Sequence, residues 1–297
     1  MQDYRKYLQP ETAAQIGNIE LIARLVVEGF ITGLHRSPYH GFSVEFAEHR
    51  QYRHGDETKN IDWKVFARTN RFYVKQYEEE TNLRAMIAID SSASMGYASK
   101  GHISKFDYAC YLTAALATLM INQRDAVGVT LYDKDINKFL PPRSKPSYIA
   151  EILKTLTNTK PSSETHTVVS LDKLAERIKR RGLVIIMSDF FDDKQSVLQA
   201  LKHFRHRNHE VLVFHILDPR EVDFKLGNGA NFKDIETGEE MVTVPYQIQQ
   251  SYSDAAKNFI NDIRKECYNH NIDYNLIETS KPFDKALRDY LTKRRKM

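Results

Sequence analysis

The five residues 183–187 are apolar without interruption, and a strand that carries apolar side chains on both faces has to be covered on both faces. That places it at the centre of a parallel sheet between two layers of helices. Residues 211–217 repeat the signal, and 83–89 and 126–132 carry it earlier in the chain. Around them, apolar residues recur at helical spacing over 106–121, 147–156, 168–181, 196–205, about 249–269 and 283–293, with a last strand at 272–277. Strands alternating with helices imply right-handed crossovers and hence an α/β fold with a doubly wound, mostly parallel sheet. Helix ends are marked locally: Ser104 and Asp107 form a capping signature, Gly182 closes the helix over 168–181, and Pro141, Pro142 and Pro146 act as breakers.

The N-terminal part reads differently. Ile16, Ile19, Ile22, Leu25 and Val26 define an amphipathic helix over 11–30, stopped by Gly29 and Gly33. Phe42, Val44 and Phe46 then alternate, and Phe72, Val74 and Tyr77 mark a second extended segment. The chain therefore divides into residues 1–82, a helix with a small β-containing element, and 83–297, the main α/β domain. In the small element Gly55 permits a turn, Trp63 is suited to pinning one subdomain to another, and Arg50 and Arg68 are placed to pair with Asp56 or Asp62. Residues 220–247 lack periodicity and carry Gly227, Gly229, Gly238 and Pro245, an irregular excursion with a hairpin expected around Thr237 and Gly238.

Charge and cysteine content narrow the function classes. Lys+Arg number 43 against 39 Asp+Glu, a formal net charge of +4, so no whole-molecule field attracts polyanions and nucleic acid is not an expected partner. The basic clusters Lys179-Arg180-Arg181 and Lys293-Arg294-Arg295-Lys296 fall at helix ends, where the helix dipole favours them. Cys110 and Cys267 match no metal or redox spacing and read as buried free thiols in a reducing compartment. The first ten residues lack an apolar signal core, and no apolar run approaches the roughly 18 residues that span a bilayer. A cytoplasmic protein without membrane insertion is expected.

In an open α/β sheet, ligands collect beyond the carboxyl ends of the strands. Asp90, Ser92 and Ser94 follow the first buried strand, Ser188 and Asp189 follow 183–187, and Ser163, Glu164, Thr165, His166 and Thr167 precede the next helix. Oxygen-only donors suit a hard cation such as Mg²⁺ or Mn²⁺ rather than zinc. The alternate spacing Asp90-x-Ser92-x-Ser94 in a turn aims one carboxylate and two hydroxyls at a common point. A hydrolytic alternative makes Ser92 or Ser94 a nucleophile with His166 as base and Asp189 as orienter, although no Gly-x-Ser-x-Gly elbow accompanies it. His203, His206 and His209 recur at three-residue spacing and read as a solvated helix end.

The segment Ala88-Ile89-Asp90-Ser91-Ser92-Ala93-Ser94-Met95 resembles the metal-ion-dependent adhesion site of von Willebrand factor type A domains. Upstream, Glu45-Phe46, Arg50-Gln51-Tyr52, Gly55-Asp56, Asn60-Ile61-Asp62-Trp63, Ala67-Arg68 and Val74-Lys75 through Glu79 resemble the family called domain of unknown function 58, as does Arg181-Gly182-Leu183-Val184 leading to Ser188-Asp189-Phe190. The resemblance runs from about residue 32 to the C-terminus. It implies a type A, Rossmann-like fold with an N-terminal β element, and association with MoxR-type AAA+ ATPases. Carried over by position, it implies Asp90, Ser92 and Ser94 as the first metal loop, Thr165 as the second-loop threonine and Asp189 as the third-loop acid, commonly ligating through water. Ser163-Glu164 stands where relatives usually have glycines.

The expected protein is thus a non-catalytic, Mg²⁺- or Mn²⁺-dependent adaptor. It would leave one cation position open to a carboxylate of a MoxR-type ATPase or an unidentified client. No Gly-x-x-x-x-Gly-Lys-[Ser/Thr] loop occurs in the sequence, so ATP hydrolysis would come from the partner. The alternatives are a metal-assisted hydrolase and a metal-free interaction scaffold.

Overall fold

The computed structural model describes residues 9–35, 50–52, 63–74, 83–161, 167–223, 230–233, 240–243 and 245–294. Near the N-terminus a short α1 (Pro10–Ala14) ends before Gly17, whose φ of +69° is a left-handed conformation. Asn18 then caps α2 (Ile19–His35), its Oδ1 accepting the N–H groups of Glu20 and Leu21 at 3.0 and 3.1 Å. The single helix expected over 11–30 is therefore two. The second runs through Gly29 and Gly33, each costing about 1 kcal/mol relative to alanine, an amount offset by complete burial of Ile22, Val26 and Phe30.

Residues 1–33 form one compact unit with 83–297, and 34–82 form another, which differs from the expected split into 1–82 and 83–297. The reason is the apolar face of α2. Ile19 and Ile22 line a cavity together with Phe106, Cys110 and Leu156, and Glu11 Oε1 lies 2.9 Å from His102 Nδ1.

Within the smaller unit, β1 (Arg50–Gln51) pairs antiparallel with β2 (Tyr73–Val74), and α3 (Trp63–Thr69) lies between them in sequence. Phe66 stacks on Phe72 with centroids 4.4 Å apart, and Trp63 meets both edge-on at 6.0 and 6.4 Å. Trp63 is 59% exposed, and among the described residues its ring partners are Phe66 and Phe72 of the same unit. Phe42, Val44, Phe46, Gly55, Asp56, Asp62 and Tyr77 lie outside the described residues.

The larger unit continues with β3 (Arg84–Asp90), α4 (Lys105–Asn122), β4 (Ala126–Tyr132), β5 (Ile136–Arg143), α5 (Tyr148–Asn158), α6 (Thr167–Arg177), β6 (Leu183–Ser188), α7 (Lys194–His206), β7 (Glu210–Leu217), α8 (Pro219–Asp223), β8 (Ala230–Lys233), β9 (Glu240–Thr243), α9 (Pro245–Asn269), β10 (Asp273–Glu278) and α10 (Asp284–Arg294). Six strands form one sheet in the order β10-β7-β6-β3-β4-β5, parallel except for β5, which runs antiparallel to β4. This is the doubly wound, mostly parallel α/β class expected. The chain winds outward in both directions from adjacent β3 and β6, so their carboxyl ends flank the topological switch point.

Alternation along the strands feeds both helical layers. Met86 and Ala88 of β3 with Val184 and Ile186 of β6 pack against Leu171, Val197, Leu201, Phe204 and Ile263 from α6, α7 and α9. Ser104 begins α4 as expected: its Oγ accepts the Asp107 N–H at 3.0 Å and donates to Asp107 Oδ2 at 2.6 Å. The helix that follows is buried on nearly every side, and Tyr108 packs 4.7 Å from Phe283.

Pro141 and Pro142, expected to break the chain, lie inside β5. Proline has no N–H for a ladder and is tolerated at sheet edges and bulges. Both conditions hold, because β5 is an edge strand and its register with β4 shifts between Val127 and Val129. A Cβ on Gly128 would meet Leu140 O at 2.5 Å and Pro142 N at 2.7 Å, so the bulge requires glycine opposite it. Strands β8 and β9 pair antiparallel from Ala230↔Thr243 to Lys233↔Glu240, and the expected turn at Thr237-Gly238 lies outside the described residues. Cys110 and Cys267 are both buried and free. Among the described residues, no helix is long and apolar enough to cross a membrane.

Candidate functional site

Asp90 is the last residue of β3 and is fully buried. Its Oδ1 accepts the Ser92 N–H at 2.9 Å, folding the chain back in an Asx turn, and its Oδ2 accepts the Ser188 hydroxyl at 2.7 Å. The Ser92 and Ser94 hydroxyls come within 3.1 Å of each other. Ser91 ties the loop to β4, donating to the Tyr132 carbonyl from its N–H at 2.7 Å and its hydroxyl at 2.9 Å. Ser92 thus touches both Asp90, through its N–H, and Ser94, through its hydroxyl.

Asp189 follows β6 and is also buried. The next residue, Phe190, has a φ of +53°, a region that bulky side chains rarely adopt. The strained turn is held by Ser188, whose Oγ accepts the Phe190 N–H at 2.9 Å while donating to Asp90. One serine thereby joins the two strand ends. Ser163, Glu164, Thr165 and His166 lie outside the described residues.

Asp189 is not a bare carboxylate. Its Oδ2 is 2.7 Å from the Nζ of Lys105, the first residue of α4, which is entirely buried. Lys105 Nζ also reaches Glu221 Oε1 of α8 at 2.5 Å. Glu221 Oε2 accepts the Asp218 N–H at 2.8 Å, and Asp218 Oδ2 accepts the Ser99 N–H at 2.8 Å. The rings of Phe191 and Tyr97 lie 4.9 and 5.9 Å from the ammonium. A continuous polar network therefore joins the loop after β3, the start of α4, the end of β6 and the turn after β7.

Electrostatics separate the two aspartates. Burial first, and then the charge of Asp189, push the Asp90 carboxyl up to about 7, against the hydrogen bonds from Ser92 and Ser188. For Lys105, burial disfavours the ammonium, but the charges of Asp189 and Glu221 outweigh it and raise its pKa. Glu221 is itself raised by burial, with Lys105 pulling the other way.

His215 of β7 buttresses the Asp189 peptide. Its Nε2 is 2.9 Å from Asp189 O and its Nδ1 is 2.6 Å from Tyr274 Oη. Burial lowers its pKa to about 4, so the ring is neutral. A carbonyl only accepts, so Nε2–H donates to Asp189 O and Nδ1 accepts from the Tyr274 hydroxyl. His203, His206 and His209 do not converge: His203 meets Asp172 at 3.0 Å, His206 is exposed, and His209 is buried beyond the end of α7, in contrast to the solvated helix end expected.

Lys105, Glu221, Asp218 and His215 were not singled out from sequence. Asp218 had a usable signal, because it follows the apolar strand 211–217 directly, as Asp90 and Asp189 follow theirs. Lys105 offered only a weak one, a lone charge opening a long apolar helix.

The donor set fits a hard cation at the first loop. Among the described residues no group of three or more His, Cys, Asp or Glu is placed to hold a metal, so an ion here relies on the serine hydroxyls beside Asp90, a choice typical of Mg²⁺ or Mn²⁺. Among the described residues, the hydrogen bonds to the buried Asp90 carboxylate come from the neutral donors Ser92 and Ser188, and positive charge beside it would relieve its burial. Asp189 fits less directly, since one of its oxygens is held by Lys105.

The chain is similar to uncharacterised proteins of Mycobacterium bovis and Mycobacterium tuberculosis, at 28% identity over 233 residues, covering 77% of this chain and 72% of theirs. Among solved structures, BatB from Bacteroides thetaiotaomicron shares 19% identity over 72% of this chain and all of its own, with a TM-score of 0.46. An aerotolerance-related membrane protein from Bacteroides fragilis shares 19% over 71% of this chain and 99% of its own, with a TM-score of 0.48. The VWA domain of SpRpn10 shares 13% over 69% of this chain and 94% of its own, with a TM-score of 0.39. The model of the family described as protein of unknown function DUF58 matches residues 48–259, most of the chain, and the protein belongs to that family.

Proposed function

We propose that the protein is a non-catalytic, Mg²⁺- or Mn²⁺-dependent protein-binding adaptor. The observation that carries this reading is the convergence of Asp90, Ser92 and Ser94 at the sheet's switch point, with Ser92 Oγ and Ser94 Oγ 3.1 Å apart and Ser92 N–H folded onto Asp90. These three residues would hold the ion, with Thr165 and Asp189 as the further positions implied by family resemblance. A bound divalent ion supplies a positive charge able to take an anionic oxygen from outside, which ties partner affinity to the ion. An adaptor role is favoured over a hydrolysis that would use His215, the histidine bonded to the Asp189 carbonyl. Both of its ring nitrogens are engaged, so it offers no free base. A MoxR-type AAA+ ATPase is the proposed partner on family resemblance alone, with an unidentified client and a cytoplasmic setting.

A second reading, a metal-free scaffold, is favoured by the Lys105–Asp189 pair, which gives one acid of the site a positive partner without any ion. Retention of an ATPase from native lysate, compared among Mg²⁺-loaded protein, chelator-treated protein and Asp90→Ala, separates the two. Retention only by the Mg²⁺-loaded wild type supports the adaptor; equal retention by all three sinks it in favour of the scaffold.

A further inference from the structure

We infer that Lys105 is a built-in competitor for the divalent cation, an ammonium that sets how tightly the Asp90, Ser92 and Ser94 loop binds its ion; this rests on the metal-dependent reading above. The placement of Lys105 is costly on two counts. It is 0% exposed, so its ammonium has been taken out of water, and it is the first residue of an 18-residue helix, where the positive end of the helix dipole repels it. Packing alone needs only an unbranched chain of that length, which methionine would supply. What the ammonium adds is its pairing with Asp189 at 2.7 Å and Glu221 at 2.5 Å.

The pairing links two equilibria. Asp189 directly follows Ser188, whose hydroxyl donates to Asp90 Oδ2 at 2.7 Å across the adjacent ends of β6 and β3, so the two acids sit at one strand-end junction. A divalent ion on the Asp90 loop and the ammonium on Asp189 draw on the same negative charge and repel each other. Each therefore weakens the other by the same factor. Glu221 would keep Lys105 paired if the charge of Asp189 were drawn toward a bound ion, because it is a second carboxylate on the same ammonium. Glu221 lies on α8 and holds the Asp218 N–H, while Asp218 holds the Ser99 N–H. Ion occupancy is thereby coupled to the turn after β7 and to the loop before α4.

The two partners of Asp189 give predictions of opposite sign, which general damage to the site would not produce. Mn²⁺ binding to the full chain is measured from the spin-resonance signal of the free ion, with circular dichroism reporting the fold and Asp90→Asn as the blank. Lys105→Met removes the competitor and is expected to tighten Mn²⁺ at least tenfold. Glu221→Gln concentrates the ammonium on Asp189 and is expected to weaken Mn²⁺ about tenfold. No change in either variant, or a loss in both, overturns the inference while leaving the metal reading intact. If Lys105→Met does not fold, Glu221→Gln decides alone, and unchanged or tighter binding overturns the proposal. Wild type that binds no Mn²⁺ beyond the Asp90→Asn blank overturns the metal reading and this inference together.

Discussion

Asp90 ends β3 and Asp189 directly follows the adjacent β6, both are buried, and one serine hydroxyl links their loops, yet their charges are met differently. Asp90 is held by hydrogen bonds from Ser92 and Ser188 and has its pKa pushed up to about 7. Asp189 faces a buried lysine. The contrast teaches that neutral donors orient a buried carboxylate without compensating its charge, whereas an ion pair compensates it and commits it. Among the described residues the Asp90 carboxylate meets neutral donors, and the Asp189 carboxylate meets an ammonium.

The sharpest way to break this comparison is to remove charge from each side in turn. With chelator present, Lys105→Met leaves Asp189 and Glu221 buried without their cation and is expected to lower unfolding free energy by about 3–5 kcal/mol, read from urea denaturation. A loss under 1 kcal/mol would mean the pair is no more than a packing contact.

Acid titration probes the Asp189 side through His215. Its folded pKa of about 4 lies below the ordinary histidine value of 6.5, so below pH 6.5 the unfolded chain takes up a proton that the folded protein refuses. Stability falls as pH drops from 6.5 to 4, by about 3 kcal/mol in full for a group this buried. His215→Asn should flatten that slope; an unchanged slope would assign it to other groups.

Asp90→Asn works in the opposite direction from Lys105→Met. In chelator at pH 7.5 it relieves an uncompensated buried charge and is expected to raise stability by about 2 kcal/mol, while abolishing any gain on adding Mg²⁺. Destabilisation in chelator would show that the carboxylate is satisfied by its serines alone.

The smallest effect is expected from Ser104→Ala, which removes the cap that places Lys105 at the head of α4. A loss of about 1 kcal/mol is anticipated, with Mn²⁺ affinity shifting only as far as the Lys105 pair loosens. Unaltered stability would show that packing of α4, rather than its cap, fixes the lysine.

Much of the fold was legible because its central strands are buried on both faces. Residues 183–187 are an apolar run whatever surrounds them, 211–217 is one broken only by His215, and Ser104 with Asp107 announces the start of α4 locally. The Asp90 loop was legible for a similar reason: an Asx turn holding Ser92 is a property of three consecutive residues. Lys105 was not, since its partners Asp189 and Glu221 are 84 and 116 positions away and no periodicity records such a meeting. β5 was missed because a tandem proline contradicts a strand unless that strand is an edge, and edge status is a property of the assembled sheet. α2 was assigned to the wrong unit because an amphipathic face shows that something covers it without showing what.

The tandem proline in β5 also governs how this molecule meets copies of itself. An outermost strand normally offers a row of free donors and acceptors on which a foreign strand can nucleate. Among the described strands none lies beyond β5, and at Pro141 and Pro142 it has no amide hydrogen to give, while the bulge bends it away from a straight template. That border of the sheet is therefore a poor seed for strand-to-strand aggregation, even when the protein is concentrated.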